Sequence, residues 1–186
     1  AQLNLDRHWV VFRQSHGLGS DDVLSILVQD SAIWFGTANG ISRYDGRWQT
    51  YAVVQPGAAN AEAESLGRIT AMVSTEDGGT IWAAGSNGVL SRYEDGMWTV
   101  AQRLGTSVNA LLYLNGELWL ATDRGVLVQR GSTVEAIAKL GTETAHALAA
   151  QDGFVWVATD SRLWRLNPVT DSVAPVQVRD ENGDLV

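Results

Sequence analysis

Four tryptophans recur in matching contexts along the chain, at Trp34, Trp82, Trp119 and Trp156, separated by 48, 37 and 37 residues. The second residue after each is small: Gly36, Ala84, Ala121 or Ala158. The sixth is Gly40, Gly88, Gly125 or Arg162, and the seventh is aliphatic: Ile41, Val89, Val126 or Leu163. A period of about 40 residues built from short apolar runs is the mark of a repeat array, in which one supersecondary unit cannot bury its own hydrophobic face and must stack on a neighbour.

Each tryptophan is preceded by an apolar run and a polar break. The runs are Val23 to Val28, Ile69 to Val73, Val108 to Leu114 and Ala145 to Ala150. Runs of this length bounded by Asn, Asp and Gly read as strands joined by hairpins. The first unit resolves into strand a over Val23 to Gln29, strand b over Ala32 to Thr37, an Asn39-Gly40 turn, strand c over Ile41 to Tyr44, an Asp45-Gly46 turn and strand d over Arg47 to Tyr51. Four antiparallel strands per repeat imply an all-β propeller of four recognisable blades, at about 21–53, 66–103, 105–139 and 141–178. Alternation along strand b puts each Trp and the small residue after it on one face. The small residue then suits the narrow gap near the propeller axis, and the Trp the wider gap outside it. Trp34, Trp82, Trp119 and Trp156 are therefore the expected core.

The ends carry partial units. Residues 1–18 read as the outer strand of a partial blade, with Asp6 to Phe12 matching Asp45 to Tyr51. Residues 179–186 read as the start of a further blade. Either the ends meet in one composite blade or the chain is a fragment of a longer propeller; the fragment is favoured. An open array exposes unpaired edges and invites association, so a homodimer is among the expected states.

The best copy of the repeat runs Gln29-Asp30-Ser31-Ala32-Ile33-Trp34-Phe35-Gly36-Thr37-Ala38-Asn39-Gly40-Ile41-Ser42-Arg43-Tyr44-Asp45-Gly46-Arg47-Trp48. It resembles the two-component regulator propeller family, whose pattern is Asp-x-x-Gly, Trp-x-Gly-Thr, a Gly-led strand and Tyr-Asp-Gly-x-Trp. The second copy keeps Asn87-Gly88, Tyr93, Asp95-Gly96 and Trp98, whereas the third and fourth lose the Tyr and the outer Trp. The resemblance implies a sensor-region propeller of a bacterial hybrid histidine kinase or related signalling protein. It implies an extracytoplasmic, periplasmic location and no fixed catalytic residues. A generic protein-interaction scaffold is the alternative, and a glycan-cleaving or lyase-type enzyme a further one.

Charge narrows the partners. A net charge of -8 and pI near 4.7 argue against nucleic acid and anionic lipid, which need a basic face. The absence of cysteine excludes disulfides and thiolate metal sites. No apolar run approaches the roughly 20 residues that span a bilayer.

Chemistry-bearing motifs are sparse. Thr75-x-Asp77-x-Gly79-x-x-Trp82 matches the Asp-box of sialidase-like propellers, where it stabilises a turn. Asp21, Asp22, Glu62, Glu64, Asp123 and Asp160 could supply the paired carboxylates, about 5–9.5 Å apart, of glycoside hydrolysis, but none has a distinctive setting. Arg43, Arg92 and Arg130 read as repeat residues on exposed edges. His8, His16 and His146 show no metal-ligand spacing, and no cofactor is expected. The excess length of the first period lies in Val54 to Gly67, where Ala61 to Leu66 could form a helical turn and the whole a recognition loop. If a small molecule, an oligosaccharide or another protein binds, the geometry of a propeller points to this insertion (Asn60, Glu62, Glu64) and to the b–c turns (Asn39, Asn87, Arg124, Ser161).

Overall fold

The computed structural model describes residues 11–51, 53–54 and 64–177. Four antiparallel four-stranded sheets follow one another. The first comprises β1 (Val23–Gln29), β2 (Ala32–Thr37), β3 (Gly40–Tyr44) and β4 (Trp48–Tyr51). A two-stranded ribbon, β5 (Val53–Val54) and β6 (Glu64–Ser65), leads to the second sheet: β7 (Ile69–Ser74), β8 (Ile81–Gly85), β9 (Val89–Glu94) and β10 (Met97–Arg103). The third holds β11 (Val108–Leu114), β12 (Glu117–Thr122), β13 (Gly125–Arg130) and β14 (Thr133–Ala136). The fourth holds β15 (Ala145–Gln151), β16 (Phe154–Thr159), β17 (Leu163–Asn167) and β18 (Ser172–Pro175). The innermost strands β1, β7, β11 and β15 pack in succession, and no such packing joins β15 to β1. The described residues thus form an open arc of four propeller blades.

Turn chemistry sets each hairpin. Asp95-Gly96, Asn115-Gly116 and Asp152-Gly153 have positive φ at both positions, the conformation whose twist matches that of the flanking strands. At the b–c hairpin, Thr37 Oγ1 donates to Gly40 O (2.9 Å) and accepts from Asn39 N (3.1 Å). Thr122 does the same with Gly125 O and Arg124 N. This local closure is the physical role of the Thr in Trp-x-Gly-Thr. Gly125, at φ 97°, lies under the next connection: a Cβ there would come within 2.5 Å of Gly141 O.

Blade 2 departs from the pattern. Gly85 replaces the Thr, and the turn is longer. Asn87 Oδ1 takes over by accepting from Val89 N (3.1 Å). The register accordingly pairs Leu90, rather than the expected Val89, with Ala84.

Every interface between blades repeats one packing. Trp34, Trp82 and Trp119 are 3%, 8% and 0% exposed. Each lies in a cluster with the two residues that flank the next blade's Trp: Ile81 and Ala83, Leu118 and Leu120, Val155 and Val157. Between blades 1 and 2 the rings of Trp34, Tyr93 and Trp98 meet edge-on, with centroids 4.8 and 6.0 Å from Trp34. The small residue is required for contact at the axis: a Cβ on Gly36 would press on Ser25 Oγ and come within 2.7 Å of Ile69 Cγ2.

A side-chain bond to a backbone carbonyl reinforces each interface. Strands β1, β7, β11 and β15 carry a register irregularity after their first residue. At this irregularity Ser25 Oγ donates to Ile69 O (3.4 Å), Thr70 Oγ1 to Val108 O, and Asn109 Nδ2 to Ala145 O (2.9 Å). The acceptor is always the first residue of the next blade's innermost strand.

Four expectations need correction. Trp156, unlike the other three tryptophans of the repeat, is only half-buried. The helical turn over Ala61–Leu66 does not form in its described part, because Glu64 and Ser65 extend to pair with Val54 and Val53. Arg43 and Arg130 are not merely edge residues: their guanidinium carbons lie 5.6 and 5.9 Å from the Trp34 and Trp119 ring centroids, closing the outer end of the core. Of the partial blades, residues 1–10 and 179–186 lie outside the described residues. Gln14–His16 form a 3-10 turn rather than strand, and Phe12 packs on Tyr44 and Trp48 at centroid distances of 5.2 and 5.1 Å.

Trp119 has no exposed surface and fills the gap between blades 3 and 4. Trp119→Ala is expected to cost about 3–5 kcal/mol in denaturant unfolding; a loss under about 1 kcal/mol would remove it from the core.

Candidate functional site

The Asp-box is a turn. Thr75 Oγ1 donates to Asp77 Oδ1 (2.6 Å), which also accepts from Gly79 N (3.0 Å), while Thr75 Oγ1 accepts from Thr80 N (3.1 Å). These bonds hold the β7–β8 hairpin and consume the carboxylate oxygen that faces it.

The b–c turns and the connections between blades share one face of the arc. Between blades 2 and 3 this face opens into a polar cleft of about 420 Å³, lined by Ser86, Asn87, Thr106, Ser107, Asp123 and Arg124. The fold thus brings together Asn87 and Arg124 of the expected site; Asn39 and Ser161 lie outside the cleft. Asn60 and Glu62 lie outside the described residues, and Glu64 lies in β6.

The cleft residues are not equally free. Asn87 Nδ2 donates to Ser65 O and Leu66 O, at 3.3 and 3.2 Å, so its amide is committed to backbone. Ser107 Oγ donates to Ser86 O (3.3 Å), and Asp123 Oδ1 accepts from Asn109 Nδ2 (3.0 Å). The Thr106 hydroxyl oxygen is buried and has no partner among the described residues. Arg124 uses its backbone N–H to close the turn, and its exposed guanidinium has no partner among the described residues. A free guanidinium beside an unpaired hydroxyl favours an anionic oxygen next to neutral hydroxyls.

A second polar group sits on the same face of blade 4. His146 Nε2 lies 2.6 Å from Asp160 Oδ1. The hydrogen bond from His146 holds the Asp160 carboxyl below the usual range. Ser161 Oγ donates to Glu143 Oε2 (3.0 Å) and accepts from Arg162 Nε (3.3 Å), so Ser161 is committed within its own turn. Glu143 is likewise lowered, first by its Thr159 hydrogen bond and then by Ser161.

Sequence reasoning weighed His146 only as a metal ligand and did not anticipate its pairing with Asp160. The signal was its place in the repeat, since it aligns with Thr70 and Asn109, and Asp160 aligns with Asp123.

Of the carboxylates considered for hydrolysis, Asp21, Asp22, Asp123 and Asp160 are individually engaged. Asp21 accepts from Gln14 N (2.6 Å), Asp22 pairs with Arg68 (2.9 Å), Asp123 holds Asn109 and Asp160 holds His146. Among the described residues no group of three His, Cys, Asp or Glu side chains could hold a metal ion. No helix among them is long and apolar enough to cross a membrane.

No protein-family model matches the chain, and no curated protein sequence does. Solved structures match its fold. The extracellular domain assigned to a hybrid two-component system of B. thetaiotaomicron, BT3049, aligns over 100% of this chain and 27% of its own, at TM-score 0.68 and 13% identity. A second such domain from that organism, BT4673, aligns over 88% of this chain and 30% of its own, at TM-score 0.53 and 18% identity. The Neurospora crassa Pan2 WD40 domain aligns over 83% and 51%, at TM-score 0.60 and 15% identity. The chain spans less than a third of the two extracellular domains. At these identities the shared property is the propeller fold.

Asp77 offers a check on the site chemistry. Its carboxyl is held below the ordinary aspartate value of 3.8, first by the Thr75 hydroxyl and then by Gly79 N–H. A depressed folded value contributes stability that is present above the unfolded value and lost as pH falls through the folded one. Carbon-detected NMR titration should place the Asp77 midpoint below 3.8 in the wild type, and Thr75→Ala should move it up; an unshifted midpoint in both would refute the turn's hydrogen bonding.

Proposed function

We propose that this chain is a non-catalytic sensing segment of a bacterial extracytoplasmic signalling propeller, and that the cleft between blades 2 and 3 is its recognition surface. The observation that carries the reading is a cleft lined both by Arg124, exposed and with an unpartnered guanidinium, and by Thr106, whose buried hydroxyl has no partner among the described residues. Recognition surfaces gather on loops held by a rigid scaffold; here Thr106 belongs to the connection between blades 2 and 3, and Arg124 to the b–c turn of blade 3. The family resemblance of the repeat and the fold shared with extracellular sensor domains support the signalling role. Fold alone does not assign a function, so the weight rests on the cleft.

The chemistry selects a ligand class. One cation beside hydroxyl groups suits a carboxylated, hydroxyl-rich molecule, and an acidic oligosaccharide fits both requirements. A ligand that binds only the folded state raises stability by mass action. Uronic-acid oligosaccharides are therefore expected to raise the melting temperature of the wild-type chain. Neutral oligosaccharides of equal length should do so less. Arg124→Ala should abolish the difference with the unliganded melting temperature unchanged, because the side chain is exposed and makes no contact that the fold needs. Equal responses of wild type and Arg124→Ala, or none from either, would overturn this reading.

A further inference from the structure

The boundary between blades 2 and 3 follows the plan of the boundary before it but is short of rings. Between blades 1 and 2, blade 1 supplies Trp34 and Tyr51, and blade 2 supplies Tyr93 and Trp98. Tyr93 and Trp98 stand edge-on to Trp34, at interplanar angles of 66° and 83°, and Tyr51 stacks on it at a centroid distance of 6.0 Å. The strand registers give the matching positions one boundary on. Tyr93 opposes Ile81 and Trp98, and Gln129 opposes Leu118 and Val134. Tyr51 opposes Ile41, and Gln102 opposes Leu90. Around Trp82, the places of Tyr93, Trp98 and Tyr51 are therefore held by Gln129, Val134 and Gln102.

The room left by these replacements is a groove of two adjoining hollows, of about 230 and 390 Å³. Trp82, Arg92, Gln129 and Gly131 line both. Thr75, Thr80 and Gly116, from the a–b hairpins, line the smaller hollow, so the groove lies at the end of the blades opposite the b–c turns and the Arg124 cleft. Tyr113 of β11 borders the smaller hollow without filling it.

The groove holds unspent hydrogen-bonding groups. Trp82 is 8% exposed, and its indole N–H has no partner among the described residues. Gln129 Nε2 donates to Gly131 O (3.0 Å), while the buried Gln129 Oε1 accepts from no described residue. One donor and one acceptor are the complement of a single hydroxyl, which accepts and donates at once. Trp98 and Trp119 also carry unpaired indole N–H groups, but Trp82 borders open space that a partner can enter. Arg92 is in register with Trp82 as Arg43 is with Trp34. Arg43 covers the Trp34 ring, whereas Arg92 pairs with Glu94 (3.1 Å) and covers no ring among the described residues.

We propose that this groove binds a small phenolic molecule. Its ring takes the space that Tyr93 and Trp98 fill at the preceding boundary. Its hydroxyl accepts from Trp82 Nε1 and donates to Gln129 Oε1, and Arg92 lies over the guest ring as Arg43 lies over Trp34. Burying a ring among rings and satisfying two stranded polar groups act together. A sugar is the poorer guest, because it would need an open indole face and Trp82 is nearly covered. The inference shares no residue with the Arg124 cleft, and its failure leaves that reading untouched.

Nitrogen-edited NMR of the Trp82 indole N–H, assigned by its loss in Trp82→Phe, tests the proposal. Millimolar para-cresol is expected to shift this resonance saturably. Toluene lacks the hydroxyl and methylcyclohexanol lacks the aromatic ring, and each should bind about tenfold more weakly or less, one hydrogen bond or one ring contact being worth about that factor. Gln129→Leu removes the acceptor and should weaken cresol about tenfold. Gln129→Tyr with Val134→Trp restores the rings of the preceding boundary; it should abolish cresol binding and raise the melting temperature. Arg124→Ala should leave cresol binding unchanged. An unshifted Trp82 resonance overturns the proposal, as does toluene or methylcyclohexanol binding as tightly as cresol. Undiminished cresol binding to Gln129→Leu overturns it as well.

Discussion

Everything in this arc depends on one indole per blade seated against the two residues that flank the next blade's indole. A buried tryptophan removes on the order of 150–250 Å² from water, worth roughly 4–6 kcal/mol before chain entropy is charged against it. Within a blade, the sheet has no second layer of its own. Its two faces are covered only by its neighbours, so stability is a sum of interface terms along one dimension. That explains why the small residue two places after each Trp is as restrictive as the Trp itself. Ile69 and Ser25 occupy the space that a side chain at Gly36 would need, and an enlarged residue there would push the innermost strands apart.

The interface has two layers with different physics. Outside, apolar surface is buried without directional demand, which lets Ile81 and Ala83 serve in one interface and Leu118 and Leu120 in the next. Near the axis, the strand irregularity turns a side-chain donor toward the next blade. Ser25, Thr70 and Asn109 differ in length and chemistry yet reach the same kind of acceptor. The outer layer supplies most of the energy. The inner layer is directional, because each donor reaches the carbonyl of the first residue of the next innermost strand.

The fold was legible because both layers repeat in sequence. The Trp spacing, the Gly or Ala after it and the turn dipeptides identify four blades without reference to a structure. What was not legible has local causes. Gly85 in place of a threonine lengthens the β8–β9 turn, and no spacing rule predicts that Leu90 replaces Val89 as the inward residue. Glu64 and Ser65 pair with Val54 and Val53 upstream, and the helical turn expected there yields to that pairing. Asn87 looked like a free turn residue and proves to be a structural clamp. Arg124, at the equivalent turn one blade on, is free. Turn position alone cannot separate the two, because the difference lies in whether a neighbouring carbonyl comes within reach.

That difference also accounts for where the cleft is. At most b–c turns a threonine closes the hairpin from within, and the turn needs nothing from outside. In blade 2 the threonine is absent, so Asn87 closes the turn and its amide is left to bind Ser65 O and Leu66 O. Blade 2's turn is thereby tied to the connection that precedes the blade. In blade 3 the threonine is present again, and Thr122 closes the turn without help from Arg124. One wall of the cleft is thus bound to the neighbouring connection, and the other keeps its cation unspent. A change of one residue in the repeat, Thr to Gly at position 85, makes the two walls unlike and leaves polar groups facing solvent between them. Repeat scaffolds acquire specific surfaces in this way: the interfaces tolerate little variation, so distinction accumulates in the turns, where a lost hydrogen bond can be made good by a neighbour.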